Sequence, residues 1–214
     1  MDTSRRIARR LLDAGAVKLE PKDPFTWASG LRSPIYCDNR VLLSYPAARG
    51  EVIDAMVEVA AGVEGLDGVA GVATAGIPHG ALLAERLNLP FIYVRSSAKS
   101  HGRRNQIEGR LEPGKRYLVV EDLISTGGSS LKAVETIRAA GGEVAATLAI
   151  FTYEFPSAER AFQLAEVPLH TLSRYGALLE EASAAGSITD TDAEALRAWR
   201  EDPRAWSDAF SHPG

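Results

Sequence analysis

Cysteine is almost missing from this chain: Cys37 is the only one among 214 residues. An intramolecular disulfide is therefore excluded, and no CxxC or Cys/His cluster is spaced to bind zinc. Long apolar runs are missing too, and none approaches the ~18 residues of a membrane span. The first residues carry Arg5, Arg6, Arg9 and Arg10 without the long apolar core of a secretory signal, so a cytoplasmic location is the expectation. Positive charge is not in excess: 24 Lys and Arg against 28 Asp and Glu leave a net charge of −4. Such a chain exerts no general pull on nucleic acid or anionic lipid, and neither is expected as a partner. An anionic ligand must be held by locally placed cations and backbone amides. Two nucleotide signatures are lacking as well. No GxGxxG supports a nicotinamide or flavin cofactor. The nearest approach to a Walker A loop, residues 109–116 (GRLEPGKR), lacks the Ser/Thr after Gly114 and Lys115 and precedes a strand instead of following one.

What is present is ordinary globular composition, 45% hydrophobic and 24% charged, so a buried core is expected. Ile7, Leu11 and Leu12 fit one face of a short helix stopped at Gly15. Pro46 suits the first turn of a helix carrying Val52, Ile53, Met56, Val57 and Ala60. From there strands at 68–74, 91–94, 117–120, 144–151 and 169–172 alternate with helices at 77–87, 128–140 and 157–165. This alternation predicts an α/β fold with a mainly parallel open sheet flanked by helices. In such sheets ligands bind beyond the carboxyl ends of the strands. Residues 17–38, with Pro21, Pro24, Gly30 and Pro34 between β-prone pieces, predict a small antiparallel hood. Residues 174–210 predict two structural helices, the second capped by Thr189 or Asp190. The whole reads as a single domain over 1–214, with an N-terminal helix and hood to 43, a core over 44–173, and C-terminal helices from 174.

Chemistry concentrates in residues 119–130, VVEDLISTGGSS. An apolar strand runs into Glu121 and Asp122, then into a turn of hydroxyls and glycines that opens a helix. The first amides of a helix lack internal partners and sit at its positive end. Glycines let a ligand approach the backbone. Together they make a phosphate cradle, to which Ser125, Thr126 and Ser129 add hydroxyls. Two acids beside a phosphate would be costly unless a cation or sugar hydroxyls separated them, and ribose 2′- and 3′-hydroxyls are suitable donors to carboxylates. An ordinary capped turn is the competing account, and the acid pair weighs against it.

Residues 95–110, RSSAKSHGRRNQIEGR, follow a strand and carry Arg95, Lys99, His101, Arg103, Arg104 and Arg110. They read either as a solvated surface loop or as a cationic lid over a polyphosphate. Position after a strand favours the lid. Residues 74–80, TAGIPHG, could expose amides to an anion, although alone they are a weak signal and a packing turn accounts for them better. His79 reads as structural or as helix surface, since no second metal ligand stands at helical spacing from it.

These segments carry a resemblance. VVEDLISTGGSS resembles the phosphoribosyl-diphosphate motif of type I phosphoribosyltransferases. YVRSSAKSHGRRNQIEG looks like the catalytic loop of the orotate phosphoribosyltransferase family, and FTWASGLRSPIYCDNR looks like the segment covering orotate in that family. The resemblance implies transfer of a ribose 5-phosphate group to orotate. By it, Glu121 and Asp122 hold the ribose hydroxyls, and Leu123, Ile124, Ser125, Thr126, Gly127, Gly128 and Ser129 wrap the 5-phosphate. Thr74, Ala75 and Gly76 meet the pyrophosphate, which Arg95, Lys99 and His101 stabilise as it leaves, with Lys99 foremost in catalysis. It further implies a magnesium ion held mainly by substrate oxygens, with no direct protein ligand, and a two-fold homodimer sharing the loop. Ser125, Arg32 and Tyr153 are the orotate candidates. Ser96, Ser97, Ala75, Ala28 and Tyr153 stand where some relatives carry cations, so the partner of the orotate carboxylate stays open. The alternatives are a purine phosphoribosyltransferase, which would lack this hood, and a non-catalytic sensor of the ribosyl donor, which would need a DNA-binding segment.

Overall fold

A computed structural model describes residues 2–27, 29–97 and 106–211. Helix α1 (Thr3–Asp13) buries Ile7, Ala8 and Leu11. Its arginines tie it to the rest of the chain: Arg5 Nε donates to Glu181 Oε1 at 2.6 Å and Arg10 Nε to Glu51 Oε2 at 2.8 Å. Strands β1 (Val17–Leu19), β2 (Phe25–Thr26), β3 (Arg32–Ser33) and β4 (Ile35–Cys37) form the hood. β1 pairs antiparallel with β4, and β2 with β3. A 3₁₀ turn over Asn39–Ser44 leads into α2 (Pro46–Ala60), with Pro46 in the first turn.

The core then alternates β5 (Gly68–Val72), α3 (Gly76–Leu87), β6 (Phe91–Val94), β7 (Ile107–Glu108), β8 (Arg116–Ile124), α4 (Gly128–Ala139), β9 (Glu143–Thr152), α5 (Pro156–Leu164) and β10 (Leu169–Arg174). Helices α6 (Tyr175–Ala184), α7 (Asp190–Glu201) and α8 (Pro203–Ser211) follow. One sheet of six strands runs in the order β10-β9-β8-β5-β6-β7, parallel throughout except at β7. Alternate residues of β8 face opposite sides. Leu118 and Val120 enter the core shared with α2 and α3, and Tyr117 and Val119 the core under α4 and α5. The chain moves outward from β5 to β6 in one direction and from β8 to β9 and β10 in the other. The sheet order therefore reverses between β5 and β8, and the loops leaving these two strands part there, which is where such sheets hold ligands.

Three expectations need correction. Residues 95–110 are not wholly loop. Arg95 N–H donates to Gln106 O at 2.8 Å, and Ile107 and Glu108 pair antiparallel with Val94 and Tyr93. An apolar Ile107 placed beside β6 suffices to complete the sheet edge. The strand expected at 117–120 extends to Ile124, since parallel pairing with β9 continues to Ile124↔Thr152. The two acids therefore lie within the strand and not after it. The tail holds three helices where two were read, because Pro203 cannot continue α7 and starts α8, with Asp202 Oδ1 accepting from Ala205 N–H at 2.9 Å. Thr189 does cap α7, in a reciprocal capping box with Asp192.

Candidate active site

The site is built on the end of β8. Glu121 is 6% exposed. Its Oε1 accepts from the Asp122 N–H at 3.1 Å and its Oε2 from the Ser130 hydroxyl at 3.3 Å. Burial first, then the neighbouring Asp122 charge, pushes the Glu121 carboxyl well above the usual carboxylate range. Burial also raises Asp122. The pair thus prefers to retain a proton when no cation or hydroxyl donor is present.

Beyond the acids, Ser125 and Thr126 turn the chain, and Gly127 begins α4 with φ +81°. A Cβ at Gly127 would come within 2.8 Å of the Phe162 ring, so this position needs glycine for both its conformation and its space. No side chain caps α4, and its first amides face the cleft at the positive end of the helix. Across the cleft the loop after β5 enters α3, again without a side-chain cap. Gly76 packs its Cα against the Val120 carbonyl, leaving no room for a Cβ. That close approach sets residues 73–75 beside the acids.

Thr74, Ala75, Glu121, Asp122, Leu123, Ser125, Thr126, Gly127, Gly128 and Ser129 all line this one cleft, of about 290 Å³. Of the expected donor-site residues, Ile124 is fully buried in the core under α4 and α5, and Gly76 acts as the packing point beneath the loop. An adjoining cavity of about 230 Å³ is lined by Arg95, Ser96, Ser129 and Lys132 among others. Arg95 lies 3.6 Å from Glu108 Oε1. Lys99 and His101 fall outside the described residues. Arg110 is 89% exposed beside Glu112, beyond β7, and takes no part in the cleft.

The acceptor candidates are dispersed. Ser125 lines the cleft. Arg32 lies in β3, its Nη1 on the Pro24 carbonyl at 3.3 Å. Tyr153 is 2% exposed and belongs to an aromatic cluster beneath the hood. Trp27 stacks on it at 5.6 Å, and the rings of Phe155, Tyr175 and Trp199 surround it. Burial pushes the Tyr153 phenol well above its ordinary value.

Several site residues escaped the sequence reading. Asn39 is fully buried, and its Nδ2 donates to the Asp122 carbonyl at 2.8 Å, joining hood to acid pair. Arg40 forms a forked pair with Asp38, at 2.7 and 2.9 Å, whose cation favours the charged form of Asp122. Neither shows any periodicity that would mark it. Lys132 did carry a signal, since it follows Ser129 by one helical turn and so shares its face. Its Nζ donates to the Ser96 carbonyl at 2.8 Å. His79 is fully buried, which removes the helix-surface reading. Burial lowers its pKa to about 4, so it is neutral in the working range.

Known proteins share this arrangement. The phosphoribosyl transferase domain family matches residues 51–160. An orotate phosphoribosyltransferase of Bacteroides fragilis is 54% identical over 203 residues, 94% of this chain and 96% of the relative. One from Cutibacterium acnes is 52% identical over 209 residues, 97% of each. The crystal structure of an orotate phosphoribosyltransferase from Aeropyrum pernix superposes with a TM-score of 0.73 at 32% identity, covering 83% of this chain and 98% of that one. The acid pair and phosphate turn lie inside the family match, the two sequence relatives cover nearly the whole chain, and the chain belongs to the orotate phosphoribosyltransferase family.

Proposed function

We propose that this protein transfers the ribose 5-phosphate group of 5-phosphoribosyl 1-diphosphate to orotate, releasing pyrophosphate and forming orotidine 5-phosphate in pyrimidine (UMP) biosynthesis. The observation that carries the reading is the cleft at the sheet reversal, where an acid pair and two uncapped helix N-termini converge.

The bond from ribose C1 to the pyrophosphate oxygen breaks, and its electron pair leaves with the pyrophosphate. A ring nitrogen of orotate, its proton passing to solvent or to the departing pyrophosphate, supplies the pair that forms the new bond to C1. The amides and hydroxyls of residues 125–129 hold the 5-phosphate, while Glu121 and Asp122 accept from the ribose hydroxyls. Residues 74–76 meet the diphosphate through their backbone. Arg95, with Lys99 and His101, stabilises the charge gathering on the leaving group. Ser125 faces the acceptor, whose carboxylate has Arg32 or hood amides as partners. Tyr153 supplies apolar support from below the hood.

Magnesium fits this donor set as a substrate-held ion. Among the described residues no group of three or more His, Cys, Asp or Glu side chains could cage a metal. Two adjacent carboxylates at the cleft suit a hard cation held mainly by diphosphate and ribose oxygens. When bound, it neutralises charge on the leaving group. We further propose a two-fold dimer with the catalytic loop shared across the interface, and a cytoplasmic location. No helix among the described residues is long and apolar enough to cross a membrane.

The test mixes the protein with magnesium, 5-phosphoribosyl 1-diphosphate and orotate and follows the loss of orotate absorbance, with hypoxanthine, adenine and uracil in parallel. Consumption of orotate alone is expected. Turnover of another base instead would overturn the acceptor assignment, and no turnover of any base would favour a donor-sensing role.

A further inference from the structure

The hood has too few bonds of its own to fix its position. Its β2–β3 hairpin pairs over only Phe25↔Ser33 and Thr26↔Arg32, and an isolated two-stranded hairpin is marginal in water. Contacts from the C-terminal helices supply what is lacking. The Arg32 N–H donates to the Ser207 hydroxyl of α8 at 2.9 Å, and Ser207 is 5% exposed. Trp199 of α7, fully buried, meets the Trp27 ring edge-on at 5.7 Å. Lys22 Nζ stands 3.5 Å from Asp192 Oδ1 at the start of α7. The hood is thus gripped from outside by α7 and α8. From inside, Asn39 bonds the Asp122 carbonyl and Trp27 stacks on Tyr153.

We propose that α7 and α8 form a positioning element for the acceptor, with Ser207 and Trp199 holding the β2–β3 hairpin against the Tyr153 side of the cleft. The proposal rests on the reading above that the hood covers the acceptor base. The tail contacts named above fall on the hood, and Trp199 also meets Tyr153 of β9, whereas the proposed donor anchors lie on β5, β8 and α4; on this proposal the tail acts on the acceptor side. Ser207 touches no reacting atom. It acts through the backbone of Arg32, where loss of its hydroxyl leaves an N–H without that partner.

The test compares Ser207→Ala, Ser207→Thr and Trp199→Phe with the parent full-length protein. It reads the KM of each substrate, kcat, and hydrogen exchange at the Trp27 and Gly30 amides, which bond to the Leu31 and Trp27 carbonyls at 2.9 and 2.8 Å. Ser207→Ala is expected to raise the acceptor KM about 3- to 10-fold, to leave the donor KM within about twofold, and to speed exchange at both amides. Ser207→Thr, which keeps the hydroxyl, restores both readouts, and Trp199→Phe moves them in the same direction as Ser207→Ala. An unchanged acceptor KM with unchanged exchange overturns the proposal, as does an equal rise in both KM values. If Ser207→Ala does not fold, Trp199→Phe carries the same decision. Failure of the parent protein to consume orotate would instead overturn the activity, while hydrogen exchange still reads whether the tail grips the hood.

Discussion

The half of the cleft proposed for the donor stands on β5 and β8, each paired to neighbours on both sides within the six-stranded sheet, and two helix starts without side-chain caps open onto it. The half proposed for the acceptor stands on a hairpin paired over two residues per strand, and its surroundings are side chains drawn from the hood, β9 and the tail. The difference follows from the ligands. Phosphates are recognised by many oriented donors at fixed spacing, which a rigid backbone supplies without ordering cost. A flat base is recognised by aromatic walls and a few polar groups, which side chains supply and which have to admit and release it.

Five substitutions and a pH titration would break or sharpen this contrast. The largest effect is expected for Lys99→Ala, with turnover lowered ~10²–10³-fold, about 3–4 kcal/mol of barrier, in a protein whose melting temperature is unchanged; near-normal kcat would remove Lys99 from the mechanism. Gly76→Ala forces a Cβ onto the Val120 carbonyl, so about 1–3 kcal/mol of stability should be lost together with donor affinity. A denaturant titration alongside donor KM checks this, and a neutral result would mean that the donor half is softer than its packing. On the other side, Trp27→Leu removes a stacked and an edge-on ring contact worth ~0.5–1.5 kcal/mol and should raise the acceptor KM alone. If the donor KM rose equally, the two halves would not be separable.

The pH dependence tests the acid pair. Glu121 has its folded pKa raised above the ordinary value of 4.5, so the native state holds that proton more tightly than the unfolded chain. Its contribution is present below the ordinary value and is lost as pH rises through the folded one. His79, lowered from 6.5 to about 4, works oppositely, losing stability as pH falls through that window. Above pH ~7 His79 is neutral in both states, and below the ordinary value of 9.0 the Cys37 thiol, itself pushed up by burial, stays protonated in both, so the slope between the two reports the acids. The melting temperature of the ligand-free protein should fall as pH rises beyond 7, and Glu121→Gln should flatten that fall. Smallest of all, Arg110→Ala should change kcat/KM less than about twofold, since its pairing with Glu112 is a surface contact.

The same contrast explains what the sequence made legible. The phosphate turn could be read because strand, acids, turn and helix start are contiguous, and local spacing alone dictates them. The hood could be read as antiparallel from Pro24, Gly30 and Pro34, but its fastening could not. The Arg32–Ser207 bond joins residues 175 positions apart, and no local pattern marks a serine in α8 as its partner. Asn39 escaped for the same reason, its amide reaching Asp122 across 83 positions. The extra length of β8 was hidden because carboxylates look like strand ends, and only the pairing with β9 keeps them inside the sheet. Pro203 was a visible breaker, yet the apolar spacing on either side of it reads as one helix.

The aromatic cluster gives the protein an optical reporter of its own. The chain has three tryptophans. Trp27 and Trp199 touch each other and Tyr153, whereas Trp206 stacks on Phe210 at 5.3 Å. Near-ultraviolet circular dichroism depends on such fixed aromatic packing. Any displacement of the hood that parted Trp27 from Trp199 and Tyr153 would change this signal, so the packing of the proposed acceptor side can be followed spectroscopically in the unlabelled protein.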